Sequence, residues 1–337
     1  MNAPLFTIVI PTLNRAHCVG RAIDSALAQT WPNLEIIVSD NGSTDATPEV
    51  LARYADPRLR ILRRDDTIPA PEHGNFLIES ARGAYFLGLS DDDYLEPGFV
   101  AAVMARFLED PEVVIAYTRC LVHYWEFALP TSRSPRLESG RDFLVGHYAQ
   151  HREVCWCACA LRMAELRGAG PLPPGTLFGD MYLWTRIALS GKVAWVDRAL
   201  SHYVLFDPAT MNTCHSTPVR EWGDQAAALA ESVLQRLRAL GAAEALSAGQ
   251  LRALRARMKR YVANSVANQF VWLALRGARR GQLLEAAFEV WGRIGARVGF
   301  WPHVCLGIAA PRRLLAALVR RTVRRRCEAA RAGRPPW

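Results

Sequence analysis

The stretch that most constrains this chain is an apolar run that ends in charge. Residues 84–89, Ala-Tyr-Phe-Leu-Gly-Leu, lead into Ser90 and three consecutive carboxylates, Asp91, Asp92 and Asp93, and a second apolar run opens at Phe99 just past Pro97. The first run reads as a buried strand, and the second, Phe99 to Met104, as a helix. Three acids at the end of a buried strand repel one another and lose hydration, so they call for a cation or hydrogen-bond donors beside them. The hard cations Mg2+ and Mn2+ take oxygen ligands, commonly one or two carboxylates completed by substrate phosphates. Ligands of open α/β sheets bind at the carboxyl ends of strands. A divalent-metal diphosphate site thus stands beside a plainer reading, a solvated acidic turn. The strand before the acids and the helix after them favour the metal site.

Upstream, residues 5–10 form a β-rich run that Pro11 is expected to break. A helix follows from Cys18 to Leu27, then a strand over 34–39 that closes on Asp40, a helix from Thr47 to Tyr54, a short strand over 59–63 and a helix over 72–82. This alternation predicts a doubly wound, mostly parallel α/β sheet. The loop Asp40-Asn41-Gly42-Ser43-Thr44-Asp45 falls where the second strand meets its helix, so it belongs at the same sheet edge as the acids. Ser43, Thr44 and Asp45 suit an ordinary turn and helix cap, and Gly42 permits a positive φ. Asp40 ends the strand instead, where a carboxylate can accept hydrogen bonds from a base or a ribose.

Residues 7–15 (Thr-Ile-Val-Ile-Pro-Thr-Leu-Asn-Arg), 34–45 and 90–97 together resemble the family 2 glycosyltransferases, which have the GT-A fold, a Rossmann-like nucleotide-diphospho-sugar transferase fold. The resemblance covers residues 5 to about 210 in three motifs. It implies a nucleotide-diphosphate-sugar donor, Mn2+ or Mg2+, and inversion at the anomeric carbon. It places Pro11, Thr12, Asn14 and Arg15 against the nucleotide and Asp40 on the base. In the family's Asp-x-Asp motif the first acid is here Ser90 and the second is Asp92. Asp92 is then the metal ligand, Asp91 faces the ribose or the metal, and Asp93 is left to cap the following helix. Asn41 stands where many relatives carry Asp. Asn75 matches a polar position around the donor. His73 is read as a surface residue at a helix start, with a phosphate contact as the alternative.

Asp180 opens a further helix that carries Leu183, Trp184, Ile187 and Ala188 on its apolar side. Read alone it is a helix cap. With a donor site in place, the resemblance makes it the general base that takes the proton of the acceptor hydroxyl. Gly179 replaces the Glu of the family's Glu-Asp pair, while Trp184 and Arg186 remain. A strand follows over 191–197. Many relatives complete the metal shell with a His near residue 207. Here that position is Asp207 and the nearest His is His202, so both stand as candidate ligands. Residues 120–153 read as a long polar loop near the acceptor side, in which Tyr124 and Trp125 either stack on a sugar or pack.

Charge divides the chain. Residues 1–240 carry 22 Lys+Arg against 28 Asp+Glu, and residues 241–337 carry 19 against 4. The expected organisation is a GT-A catalytic domain over 1–218 and a basic helical C-terminal region over 219–337, with helices from Trp222 to Leu240, Leu251 to Leu275 and Leu283 to Ile294. Residues 314–319 are apolar and flanked by arginines. Such a segment suits a helix lying on an anionic membrane, or equally a helix packed on the catalytic domain or an oligomer contact. No nucleic-acid-reading motif accompanies the basic residues, so nucleic acid is not an expected partner. The N-terminus shows no signal-peptide pattern and no charge-free apolar run reaches about 18 residues, so no transmembrane helix is expected. Cys155, Cys157 and Cys159 alternate as on one face of a strand, which reads as a buried strand or as a metal site; the eight cysteines show no disulfide framework and fit a reducing cytosol.

The sequence is therefore read as a metal-dependent, inverting glycosyltransferase. It would use a nucleotide-sugar donor and a saccharide or lipid-linked acceptor in cell-surface polysaccharide or glycan assembly. Its expected place is the cytoplasm or the inner face of the membrane. A non-catalytic nucleotide-sugar-binding or assembly protein and a nucleotidyltransferase are the alternatives; the latter is disfavoured because residues 11–14 are not a Gly-rich basic loop.

Overall fold

The computed structural model describes residues 3–124, 126–149, 152–206, 218–242 and 245–275, together with residues 317, 320–325 and 327–328. The chain divides into two compact units, one of residues 1–147 and 152–210, the other of residues 148–151 and 211–337.

The first unit is built on one mixed sheet. In chain order its elements begin with β1 (Phe6–Thr12), α1 (Val19–Leu27), β2 (Leu34–Asp40), α2 (Thr47–Leu51), β3 (Leu59–Arg63), α3 (Ala70–Ser80), β4 (Tyr85–Gly88), β5 (Tyr94–Leu95) and α4 (Phe99–Glu109). There follow β6 (Val113–Tyr124), β7 (Phe127–Pro130), β8 (Leu137–Ser139), α5 (Gly140–Tyr148), β9 (Cys159–Arg162), α6 (Met163–Gly168), α7 (Gly179–Ile187) and β10 (Lys192–Phe206). The strand order is β3-β2-β1-β4-β9-β6-β10-β5, with β7 on β6 and β8 on β10. The pairs β1–β2, β2–β3, β1–β4 and β6–β10 are parallel, whereas β9 runs antiparallel to both β4 and β6.

The centre of this sheet is dry. Ile8, Ile10, Ile36, Val38 and Leu87 are all fully buried, and each contributes roughly 1.5–3 kcal/mol of apolar burial. α1 adds Val19, Ala22, Ile23 and Ala26, the 3.6-period face that the sequence shows. The chain passes from β1 outward to β2 and β3, then returns to the other side of β1 as β4. The point where the order reverses lies between β1 and β4, the position at which open α/β sheets form a ligand crevice beyond their strand ends.

Four local expectations are corrected. Pro11 does not break β1, which runs on to Thr12 with Pro11 beside Ser39. β4 pairs with β1 only as far as Val9, so Pro11 lies where β1 has a partner on one side alone and its missing N–H breaks no ladder. The 155–159 segment is not a continuous strand: Trp156–Ala158 form one 3-10 turn and only Cys159 enters β9. Residues 120–153 are not a long loop but the β6–β7 hairpin, β8 and α5. β10 does not end at Asp197 but continues to Phe206 through register shifts around Val196–Ser201. Trp125 lies outside the described residues.

In the second unit α8 (Val219–Arg238) and α9 (Ala248–Leu275) form a helical pair. Trp222 Nε1 donates to Ser265 Oγ at 2.8 Å, and Arg255 lies 3.3 Å from Glu231, so the two helices run antiparallel. α8 buries Val219, Ala226, Ala230, Val233, Leu234 and Leu237 along one stripe. The expected helix over 283–294 and all of the apolar segment 314–319 except residue 317 lie outside the described residues. Among those described, no helix is long and apolar enough to cross a membrane.

Candidate active site

Three loops meet at the carboxyl edge of the parallel strands. The loop after β1 and the loop after β2 are stitched together by backbone donors. Asn14 N–H donates to Ser43 Oγ at 2.8 Å, Arg15 N–H to Thr47 Oγ1 at 2.9 Å, and Ala16 N–H to Asp45 Oδ2 at 3.2 Å. In return the Asn14 side-chain oxygen accepts Thr44 N–H at 2.8 Å. Asn14 has a φ of 55°, a left-handed conformation that Asn tolerates better than most residues. Of the residues expected against the nucleotide, Asn14 is thus the clamp between two loops, with Pro11 and Thr12 at the end of β1 beside it.

Asp40 is fully buried at the end of β2. Its Oδ1 accepts the N–H of Ser43 at 2.9 Å. Among the described residues its Oδ2 has no hydrogen-bond donor, with Arg63 Nε 3.8 Å away as its ion-pair partner. A buried carboxylate oxygen without a donor is an acceptor prepared for a ligand or a water. His73 lies near it and is buried, not on the surface as expected; its Nε2 is 2.8 Å from Ser39 Oγ. Burial, aided by the nearby Arg64 charge and opposed by Asp40, pushes His73 down to about 4, so its imidazole is neutral.

The acidic loop follows β4. Asp91 Oδ1 lies 3.7 Å from Arg15 Nε, which joins the third loop to the first. Burial and the adjacent Asp92 charge raise Asp91 to about 7, against the pull of the Thr12 hydroxyl and Arg15. Arg21 of α1 donates to the Asp92 carbonyl at 2.6 Å while its guanidinium lies over the Tyr94 ring, 4.8 Å from the centroid. Asp93 is not a helix cap. It is buried, its Oδ1 accepts the Val204 N–H at 2.9 Å, and burial together with the Asp92 charge raises it well above the usual carboxylate range. α4 begins instead behind Gly98, with no side-chain cap.

Asn75 lies at this edge with its amide engaged: it donates to Leu172 O at 3.0 Å and accepts Leu172 N–H at 2.8 Å. It anchors the segment that leads into α7. There Asp180 is the second residue of the helix, with its own Oδ1 accepting Met181 N–H at 2.7 Å. Burial raises Asp180 above the usual carboxylate range, with that hydrogen bond acting the other way.

His202 lies within β10 with both ring nitrogens engaged, Nε2 2.9 Å from Glu96 Oε1 and Nδ1 2.9 Å from His123 Nε2. Its ring stacks on Tyr94 at 4.1 Å. Asp207, the other candidate for a further metal ligand, lies outside the described residues. Among the described residues no three His, Cys, Asp or Glu side chains converge as a metal-ligand set. The thiols of Cys155 and Cys157 gather instead around Cys120, with Asp93 beside them.

A doubly wound sheet with an acidic loop at its switch point is the arrangement of the GT-A class of nucleotide-diphospho-sugar transferase folds. Residues 7–166 match the model of Glycosyl transferase family 2. It is 38% identical over 117 residues to a chondroitin synthase of Pasteurella multocida, across 34% of this chain and 12% of that protein. It is 36% identical over 103 residues to the succinoglycan biosynthesis protein ExoO of Rhizobium meliloti, across 31% of this chain and 30% of that protein. The chain thus spans less than a third of the length of either relative. Among solved structures it is similar to S. aureus TarS 1–349, with a TM-score of 0.58 at 15% identity over 97% of this chain and 87% of that one. It is also similar to the mannosyltransferase PcManGT of Pyrobaculum calidifontis, solved with GDP-Man and Mn2+, with a TM-score of 0.55 at 15% identity over 94% of this chain and 87% of that one.

Arg21, Tyr94, Val204 and Trp156 are the parts of this edge that sequence reading missed. Tyr94 lies inside the 90–97 motif but carries no role in it, the other three belong to none of the three motifs, and the roles of all four arise from pairings between distant segments.

Proposed function

We propose that this protein is an inverting glycosyltransferase that moves a sugar from a nucleotide-diphosphate-sugar to an acceptor hydroxyl, in the assembly of a polysaccharide or glycan. The observation that carries the reading is the pair of buried, mutually repelling carboxylates Asp91 and Asp92 at the switch point, with Arg15 at 3.7 Å from Asp91 as counter-charge. That arrangement is unfavourable by itself and becomes favourable when a cation and a diphosphate fill the crevice. A carboxylate donor set of one or two acids fits Mn2+ or Mg2+, whose remaining ligands are phosphates and water. Asp92 would hold the ion, with Asp91 as its neighbour. When bound, the ion neutralises the charge that develops on the leaving diphosphate.

The remaining roles belong to the chain itself. Asp40 offers its unoccupied Oδ2 to an N–H of the base. Asn14 and Arg15 shape the nucleotide wall. Asp180, raised by burial, takes the proton from the acceptor hydroxyl as the new bond forms, since a base works best when its proton affinity approaches the working pH. Single displacement needs one such base, so Gly179 in place of a second acid does not impair it. The likeness to proteins named chondroitin synthase and succinoglycan biosynthesis protein favours a saccharide or lipid-linked acceptor.

Arg252, Arg255, Arg257, Lys259 and Arg260 are exposed on α9. They support a peripheral site of action on an anionic, cytoplasm-facing membrane surface. The decisive experiment offers a panel of nucleotide sugars with Mn2+ and measures donor hydrolysis and transfer. Turnover of one donor supports the reading. Binding without any turnover would make the protein a nucleotide-sugar-binding component instead.

A further inference from the structure

Trp156 occupies the one-turn 3-10 segment Trp156–Ala158, just before β9. β9 pairs with β4, the strand that delivers the acidic loop. The indole lies directly against Gly88: a Cβ there would sit 2.6 Å from Trp156 Cε2 and Cζ2, so only glycine permits this approach. Gly88 is two residues before Ser90 and three before Asp91. Trp156 also meets Trp184 of α7, the ring centroids 6.3 Å apart and the planes tilted by 40°. Trp184 is four residues beyond Asp180, so the two share one face of that helix. Trp156 is therefore lodged between the strand end that leads to the acids and the helix face that carries Asp180, and it remains half-buried rather than closed over.

Next to it the Nε1–H of Trp184, itself buried, has no hydrogen-bond partner among the described residues. Buried indole N–H groups normally find one, and a buried water would satisfy this donor behind Trp156. Neither tryptophan is required by the carboxylate chemistry described above.

We propose that Trp156 is a specificity-determining residue of the sugar subsite, its indole forming the wall on which the C–H face of the transferred sugar packs. The inference rests on the glycosyltransferase reading, because the transferred sugar must lie between the diphosphate at the acidic loop and the base on α7. Aromatic walls with a few convergent polar groups are the usual lining of such sites.

The test compares binding of a nucleoside diphosphate, UDP or GDP, with binding of the corresponding nucleotide sugar, each with Mn2+, in wild type, Trp156→Ala, Trp156→Leu and Trp156→Phe. Trp156→Leu keeps apolar bulk against Gly88 and guards against a variant that fails to fold. Expected is diphosphate binding within about twofold of wild type in every variant, with nucleotide-sugar binding weakened by at least about tenfold in the Ala and Leu variants and largely retained in Phe. Equal weakening of both ligands, or none of either, overturns the assignment to Trp156 while leaving the enzyme reading intact. A wild type that binds the diphosphates but no nucleotide sugar overturns both.

Discussion

Asp93 Oδ1 accepts the backbone N–H of Val204 at 2.9 Å, a bond that joins the acidic loop to β10 across 111 residues. Asp93 is fully buried, and its neighbour Asp92 raises it further from the ordinary carboxylate range. Burial first, and the Asp92 charge beside it, both favour the uncharged form of this carboxyl. Asparagine keeps the accepting oxygen and the volume without the charge, so Asp93→Asn is expected to leave stability within about 1 kcal/mol of wild type or to raise it. Asp93→Ala removes the acceptor and leaves the half-buried Val204 N–H unmatched, at a cost of about 1–3 kcal/mol. Urea unfolding of the two variants separates these outcomes, and an Asn variant as damaged as the Ala one would show that Asp93 acts as an ionised group.

The same substitution one residue earlier should behave differently. Asp92→Asn keeps the Arg21 contact, which is made to the backbone carbonyl at 2.6 Å, and replaces the carboxylate with an amide of the same size. It removes the charge assigned to the cation. Titration calorimetry with a nucleotide sugar and Mn2+ is expected to show the metal-dependent part of donor binding lost, with the melting temperature little changed. Metal-dependent binding equal to wild type would remove Asp92 from the metal role.

Asp180→Asn tests the base. The Met181 N–H that Asp180 accepts at 2.7 Å can still be accepted by an amide oxygen, so the start of α7 should survive. Transfer is expected to fall by about 10²–10⁴-fold, the usual range for a general base, with donor affinity preserved. Retained transfer at saturating donor and acceptor would assign the base elsewhere.

The parallel half of the sheet was legible because β1, β2 and β4 are continuous apolar runs that end in polar loops, and period and punctuation agree there. The acidic loop was legible for the same reason. What escaped the sequence depends on pairings without local signature. Asp93 reads as a cap until Val204 is brought beside it, and His73 reads as a surface residue until α3 turns it toward Ser39. His202 looks available for a metal until Glu96 and His123 meet its two nitrogens. The 120–153 region failed for a different reason: its polar composition suits a loop, while its hairpin is set by registry with β6 rather than by an alternating pattern of its own.

Asn14 carries the joint between the first two loops. Its left-handed backbone costs most L-residues roughly 1–2 kcal/mol, and its side-chain oxygen accepts Thr44 N–H. Asn14→Ala should lose both the backbone tolerance and the bond, about 2 kcal/mol in all. Asn14→Gly should restore the backbone part alone and fall between Ala and wild type. Chemical unfolding gives the order. An Ala variant no less stable than the Gly one would mean that the positive φ carries no strain.

His73 sets a dependence on pH. Its folded-state value of about 4 lies below the ordinary 6.5, chiefly through burial, with Arg64 adding to the effect and Asp40 opposing it. Between those two values the unfolded chain takes up a proton that the native chain does not, so stability rises with pH there. The destabilisation is absent above about 6.5 and grows as pH falls toward 4, where it is on the order of 3 kcal/mol. His73→Asn keeps a polar group facing Ser39 and cannot titrate. Urea midpoints measured from pH 7 to pH 4.5 should therefore fall more steeply for wild type than for the variant. Parallel pH profiles would mean that His73 takes its proton in the folded protein as readily as in the unfolded chain.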